Sequence, residues 1–173
     1  SILTERKRLN PDALIAELDQ KGIGVCCVDD DAYPQLLKEI ATPPPILYYV
    51  GTPETFMRKA VAIVGTRLVT SYGKMITGEI TEALVSHGFT VVSGLARGVD
   101  GAAHAKALSL GGETIAVLGC GVDVIYPPEH RNIAASIVRH GLLVSDYAPG
   151  TQPERQNFPP RNRIISGLSL CTI

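Results

Sequence analysis

The run Lys59-Ala60-Val61-Ala62-Ile63-Val64 leads directly into Gly65-Thr66-Arg67. An unbroken apolar run of this length, without polar alternation, reads as a strand covered on both faces, as in a parallel sheet. In open parallel sheets ligands collect at the carboxyl ends of the strands, where loops leave the sheet and helix N-termini face outward. The triplet therefore marks the expected working face, and its chemistry suits anions. Gly65 lets backbone amides approach closely, Thr66 offers a hydroxyl, and Arg67 supplies a planar cation able to hold phosphate bidentately. The phosphate could belong to a small nucleotide or to a polynucleotide.

Downstream, the same texture repeats. Ser71 to His87 reads as a helix, with Met75, Ile76, Ile80, Leu84 and Val85 at helical spacing, and Phe89 to Ser93 as the next strand. A helix over Val99 to Leu110, a strand over Glu113 to Leu118, a helix over Arg131 to His140 and a strand over Leu142 to Ser145 follow. Gly88, Gly111, Gly112 and Gly141 stand where the helices should stop, as left-handed caps. Such βα units predict an α/β fold, a parallel sheet with helices on both faces.

Upstream, Asp12 to Lys21 reads as a short helix with Leu14, Ile15 and Leu18 on one face, followed by an extended piece at Val25 to Val28 and a turn of helix after Tyr33-Pro34. Thr42-Pro43-Pro44-Pro45 then forms a stiff connector. Residues 1–45 are expected to be a partial helical element with its connector, and residues 46–173 the main domain. The N-terminal element has too few apolar residues to stand alone, so it packs on the main domain or belongs to a larger module. Leu170 to Ile173 looks like the opening of another buried strand, so the main domain is expected to be incomplete at its C-terminus and the chain to be part of a longer protein.

Composition sets the class. The chain has 173 residues, 45% of them hydrophobic and 19% charged, which suits one globular core. No apolar stretch approaches the roughly 18 residues of a membrane span, and Ser1 to Asn10 lacks the apolar core of a signal peptide, so the expected location is cytoplasmic. Cys26, Cys27, Cys120 and Cys171 show no metal-binding spacing and read as reduced thiols; neither metal nor cofactor is expected. The net charge of −1 means that polyanion binding must come from a local patch. The densest basic stretches are Arg6-Lys7-Arg8 and Thr151 to Arg163, the latter holding Arg155, Arg161 and Arg163 against Glu154 alone.

Each strand of the main domain ends in a suggestive loop: Gly65-Thr66-Arg67, then Ser93-Gly94-Leu95-Ala96-Arg97-Gly98-Val99-Asp100, then Gly119-Cys120-Gly121-Val122-Asp123 running on to Tyr126-Pro127-Pro128. Together they predict a glycine-lined shelf with exposed amides, although any single glycine is explained by a tight turn. The dinucleotide fingerprint is missing after the first strand, and so is the phosphate loop of P-loop ATPases. Asp100 and His104 share a helix face and could be a base and its orienter; a dipole-complementing carboxylate and a packed histidine are the simpler reading. Cys120, with no adjacent base, reads as a small buried side chain.

The strongest local signal is Gln156-Asn157-Phe158-Pro159-Pro160-Arg161-Asn162-Arg163-Ile164-Ile165-Ser166-Gly167-Leu168. Cations at a helix start oppose the macrodipole, which makes sense if an anion binds there or if Arg161 and Arg163 bridge to Asp146 or Asp123. Arg155, in a polar loop, suits free phosphate contact or plain solvation. Phe158 is either a stacking face for a base or a plug that anchors its loop.

The ordered series Val61 to Arg67, Ser93 to His104, Gly119 to Asp123 with Tyr126-Pro127, and Phe158 to Ser169 resembles the DNA-processing protein A (DprA/Smf) family. Weaker likeness extends upstream through Tyr33 to Leu37 and Pro43 to Tyr48, where the family joins an N-terminal helical, SAM-like domain to a Rossmann-like domain. The resemblance implies a Rossmann-like fold and a non-enzymatic protein that binds single-stranded DNA. It implies protection of incoming DNA, loading of RecA recombinase during natural transformation, and homodimers in the full-length protein. By motif position Arg67 would be the principal phosphate-binding arginine, Arg155 a second basic contact and Phe158 the base-contacting aromatic. Gly65, Thr66, Ser93 and Gly94 would line the same pocket, with Arg161 and Asn162 close by. The rival is a nucleotide-processing enzyme of the lysine-decarboxylase-like phosphoribohydrolase type, whose P-G-G-x-G-T-x-x-E loop does not occur in these residues. A scaffold whose glycine loops are merely turns is the third possibility.

Overall fold

The computed structural model describes residues 10–173; the basic Arg6-Lys7-Arg8 lies outside the described residues. The elements in order are α1 (Pro11–Gln20), β1 (Gly24–Cys27), α2 (Gln35–Lys38), β2 (Ile46–Gly51), β3 (Ala60–Ala62), α3 (Ser71–Ser86), β4 (Thr90–Ser93), α4 (Val99–Ser109), β5 (Thr114–Val117), α5 (Arg131–His140), β6 (Gly141–Ser145) and α6 (Phe158–Gly167). They build one six-stranded sheet in the order β1-β2-β6-β5-β4-β3. β3 to β6 are parallel, as the βα repeats predict, but β2 joins β6 antiparallel and β1 joins β2 antiparallel. The sheet is therefore mixed, and its antiparallel flank draws on the segment before the three prolines.

Because β3 to β6 step across the sheet in one direction, right-handed crossovers place α3, α4 and α5 on one face. Alternate strand residues confirm it: Val91, Ala116, Leu118 and Leu143 pack towards those helices, while Val92, Ile115, Val117, Leu142 and Val144 point the other way. The second face is covered by α6 and by Tyr33 and Leu37 from the N-terminal segment, both fully buried. The segment before the prolines is thus packed on the main domain. Only α1 stays apart, burying no residue and leaving Leu14 and Ile15 about half exposed.

After β6 the chain turns back along the second face as α6 and reaches the far side of β3. There Ala62 and Val64 donate to the carbonyls of Cys171 and Ile173, and Leu170 and Ile173 donate to Ala60 and Ala62. Leu170 to Ile173 accordingly pairs in parallel with β3, as expected of a strand, yet Leu170 and Ile173 are half exposed rather than buried. β3 has neighbours reached by connections on opposite faces, so the sheet switches direction at its carboxyl end. Crevices open at such switch points.

Two of the four expected glycine caps differ. Gly88 and Gly111 have positive φ, 76° and 72°. Gly141 is extended and starts β6, where a Cβ would collide with the Thr114 carbonyl; Gly112 is small because Val85 of α3 packs against it. Both sites need small size rather than left-handed freedom.

Candidate nucleic-acid interface

The first loop sits where the fold opens. Val64 to Arg67 are exposed, and Thr66 Oγ1 accepts from the Leu68 amide at 3.1 Å, turning the chain so that Arg67 faces the cleft. Val99 donates to the Thr66 carbonyl at 3.1 Å, fastening the second loop to the first. That approach requires glycines: a Cβ on Gly98, at φ 79°, would strike the Thr66 carbonyl, and one on Gly65 would lie 2.7 Å from Val99.

Arg67 and Phe158 form the mouth of a cleft of about 600 Å³ between the β3 loop and α6. The Arg67 guanidinium carbon stands 5.5 Å from the Phe158 ring centroid, within cation–π range. Phe158 is half buried and packs over Gly119, where a Cβ would come within 2.9 Å of the ring. It is thus an anchor for its loop, with part of its ring left open to the cleft. Gly65 and Asn162 line the cleft as well, with the Asn162 carboxamide oxygen accepting from Arg161 Nε at 3.3 Å.

Three of the expected site residues, Ser93, Gly94 and Arg161, are buried beneath the surface of the cleft. Ser93 is fully buried, and its hydroxyl donates to the Ile63 carbonyl at 2.6 Å. Arg161 is only 4% exposed; Nη1 donates to the carbonyls of Gly94 and Val117, tying α6 to the ends of β4 and β5. Its charge is answered by Asp100, although burial still lowers its pKa below the usual arginine value. Arg163 makes the anticipated bridge, reaching Asp146 at 2.6 Å and the Thr42 carbonyl at 2.7 Å. Asp123 instead accepts from the Gly150 amide at 2.7 Å.

The glycine shelf is mostly closed. Asp100 sits in the first turn of α4 and accepts from the amides of Gly94 and Ala96 at 3.2 and 3.3 Å, so the protein's own carboxylate fills the place a phosphate would take at that helix start. Burial raises its pKa, while the Ala96 amide and Arg161 oppose the shift. Gly94, itself buried, passes between Arg161 and Asp100. Of the three loops the first is exposed from Val64 to Arg67, whereas Ser93 to Leu95 and Gly119 to Val122 are buried.

His104 does not meet Asp100. It is fully buried, its Nδ1 lies 2.7 Å from Thr114 Oγ1, and burial holds its pKa down to about 3. Cys120 is buried too, its thiol pushed up to about 11. Arg155 opens the 3-10 turn Arg155–Asn157 that delivers Phe158. It is exposed, stands outside the lining of the cleft, and among the described residues has no hydrogen-bond or ion-pair partner. Tyr126, absent from the expected site, approaches Phe158; its signal in the sequence is an aromatic set before two prolines in a loop at the working edge. Among the described residues no cluster of three or more His, Cys, Asp or Glu could hold a metal, and no helix is long and apolar enough to cross a membrane.

Comparison with known proteins gives this geometry a lineage. Protein Smf of Synechocystis sp. is 48% identical over 172 residues, covering 97% of this chain and 43% of that protein. The X-ray structure of DNA processing protein A from Streptococcus pneumoniae superposes with a TM-score of 0.89 at 37% identity, over 98% of this chain and 59% of that one. The protein of the same name from Helicobacter pylori, described for its unique single-stranded DNA binding mode, gives 0.77 at 32% identity, over 86% and 67%. The chain spans about half the length of the curated relatives it matches. The likeness to the solved structures runs through the Rossmann-like sheet described above, and the model of the DNA recombination-mediator protein A family matches residues 24–173. The chain therefore belongs to the DNA recombination-mediator protein A family, that of the DprA and Smf proteins.

Proposed function

We propose that this chain carries a binding face for single-stranded DNA, and that the whole protein, a cytoplasmic homodimer, protects incoming DNA and delivers it to the RecA recombinase during natural transformation. The observation that carries the first part is the Arg67 guanidinium resting on Phe158 at the mouth of the switch-point cleft. A single strand offers phosphates and unpaired bases side by side, and a cation next to a flat ring meets both. Gly65 and Thr66 supply the close backbone, Asn162 a free amide, and Arg155 a further cation on the approach. Ser93, Gly94 and Arg161 support the face from below. DNA protection, RecA delivery and dimerisation rest on the family to which the chain belongs.

Asp100 argues against the small-nucleotide alternative, because a nucleotide phosphate at the α4 N-terminus would have to displace a carboxylate already bonded to two amides. Binding rather than catalysis is also supported by His104 and Cys120, both sealed off and both held in their neutral forms around pH 7. The test is titration of labelled single-stranded oligonucleotide across a salt series. Arg67→Glu is expected to weaken binding by about tenfold or more at low salt, and Arg155→Glu to weaken it less. Unchanged affinity in both variants would remove this face from consideration, and release of base from nucleoside monophosphates would favour the phosphoribohydrolase.

A further inference from the structure

The loop after β5 carries an aromatic ring that the cleft does not use. Tyr126 is 38% exposed, and its ring centroid lies 5.8 Å from that of Phe158 with the planes tilted by 45°. Arg67, Phe158 and Tyr126 thus make a continuous ledge. The recess enclosed among them is only about 30 Å³, so no base enters between the rings, and whatever Tyr126 binds must lie on its open side.

Tyrosines that serve the core of this protein look different. Tyr33 is fully buried with its hydroxyl donating to the Pro44 carbonyl at 2.7 Å, and Tyr147 is half buried with its hydroxyl directed at the Asn157 carbonyl. The Tyr126 hydroxyl has no partner among the described residues, while the next residue, Pro127, is buried and fixes the backbone beneath it. A ring presented on a fixed base, open on one side and in contact with the Phe158 platform on the other, is a stacking surface. Arg97, in the wall of the same recess, is ion-paired with Glu129. Arg67, the other arginine in that wall, lies over Phe158, so the open side of Tyr126 offers a flat face.

We infer that Tyr126 is a second base subsite, which takes an unpaired nucleobase of the same strand next along from the one at Phe158. This rests on reading the cleft as a single-stranded-DNA face. The subsite recognises bases rather than phosphates, so its contribution is nearly independent of salt, in contrast to that of Arg67.

The experiment titrates labelled oligothymidylate at several salt concentrations against the unaltered protein, Tyr126→Leu, Tyr126→Phe and Arg67→Glu. Tyr126→Leu is expected to weaken binding at least about fivefold at every salt concentration, and Tyr126→Phe to stay within about twofold of the unaltered protein. Since the chain contains no tryptophan, Tyr126→Trp installs an optical reporter whose emission should be quenched as DNA saturates the protein. Unchanged affinity in Tyr126→Leu, or unquenched emission at saturation, overturns the second subsite. Arg67→Glu separates the two ideas. If it binds DNA poorly while Tyr126→Leu binds normally, only the second subsite is lost; if both bind normally, the cleft itself is misread.

Discussion

Gly94 shows how tightly the site is fitted at the scale of single residues. A Cβ there would lie 2.6 Å from Arg161 Nη2 and 2.8 Å from Asp100 Oδ2, two buried charged groups with no room to withdraw. Gly94→Ala should cost about 1–3 kcal/mol of stability, read from urea unfolding, and should weaken DNA binding only as far as the loops shift. That Arg67 and Phe158 stand at the working edge was legible from sequence because their chemistry is local: a strand-end arginine, and an aromatic in a polar, proline-flanked loop. Arg161 was not legible in the same way. Its sequence neighbourhood is as cationic as that of Arg155, and only the arrival of the β4 and β5 carbonyls, far away in the chain, decides that it points inward.

The crossover helix α4 is stitched to the sheet by one buried chain of bonds. The Thr114 hydroxyl on β5 donates to the Val91 carbonyl on β4, which leaves its oxygen to accept from His104 Nδ1–H on α4. Burial keeps His104 neutral in the fold, its pKa lowered from an ordinary 6.5 to about 3. The unfolded chain takes up a proton that the native state refuses, so stability falls as the pH drops below 6.5 towards 3. The slope from this one group approaches about 1.4 kcal/mol per pH unit. Urea midpoints at pH 7 and pH 5 should therefore converge in His104→Gln relative to the unaltered protein. Helix and strand positions from β3 to β6 were readable to within a residue or two, since apolar runs and helical spacing are local patterns. β2 was not assigned, although Ile46 to Val50 is apolar and aromatic, because it pairs antiparallel with β1 and β6 and so lies itself outside the βα repeat.

Across this chain as a whole a net charge of −1 leaves no general attraction for a polyanion, so the proposed DNA affinity would rest on a few cations at one edge of the sheet. The slope of log affinity against log salt should be shallow, and neutralising Arg67 should reduce it by about 0.7, the increment for one phosphate on a single strand. A steep slope, unaffected by Arg67→Ala, would mean that contacts elsewhere dominate. The parallel centre of the sheet was legible because its strands recur at regular intervals, whereas its mixed flank is a property of long-range pairing. The contact between Arg67 and Phe158 also has a thermodynamic side. The guanidinium already lies over Phe158 in the free protein, so a DNA strand bound as proposed would not have to freeze a freely rotating arginine, a saving of about 0.5–1.5 kcal/mol in side-chain entropy. Phe158→Ala would then forfeit a base platform and release Arg67 at once, and calorimetry should find the loss of affinity accompanied by a more unfavourable entropy of binding.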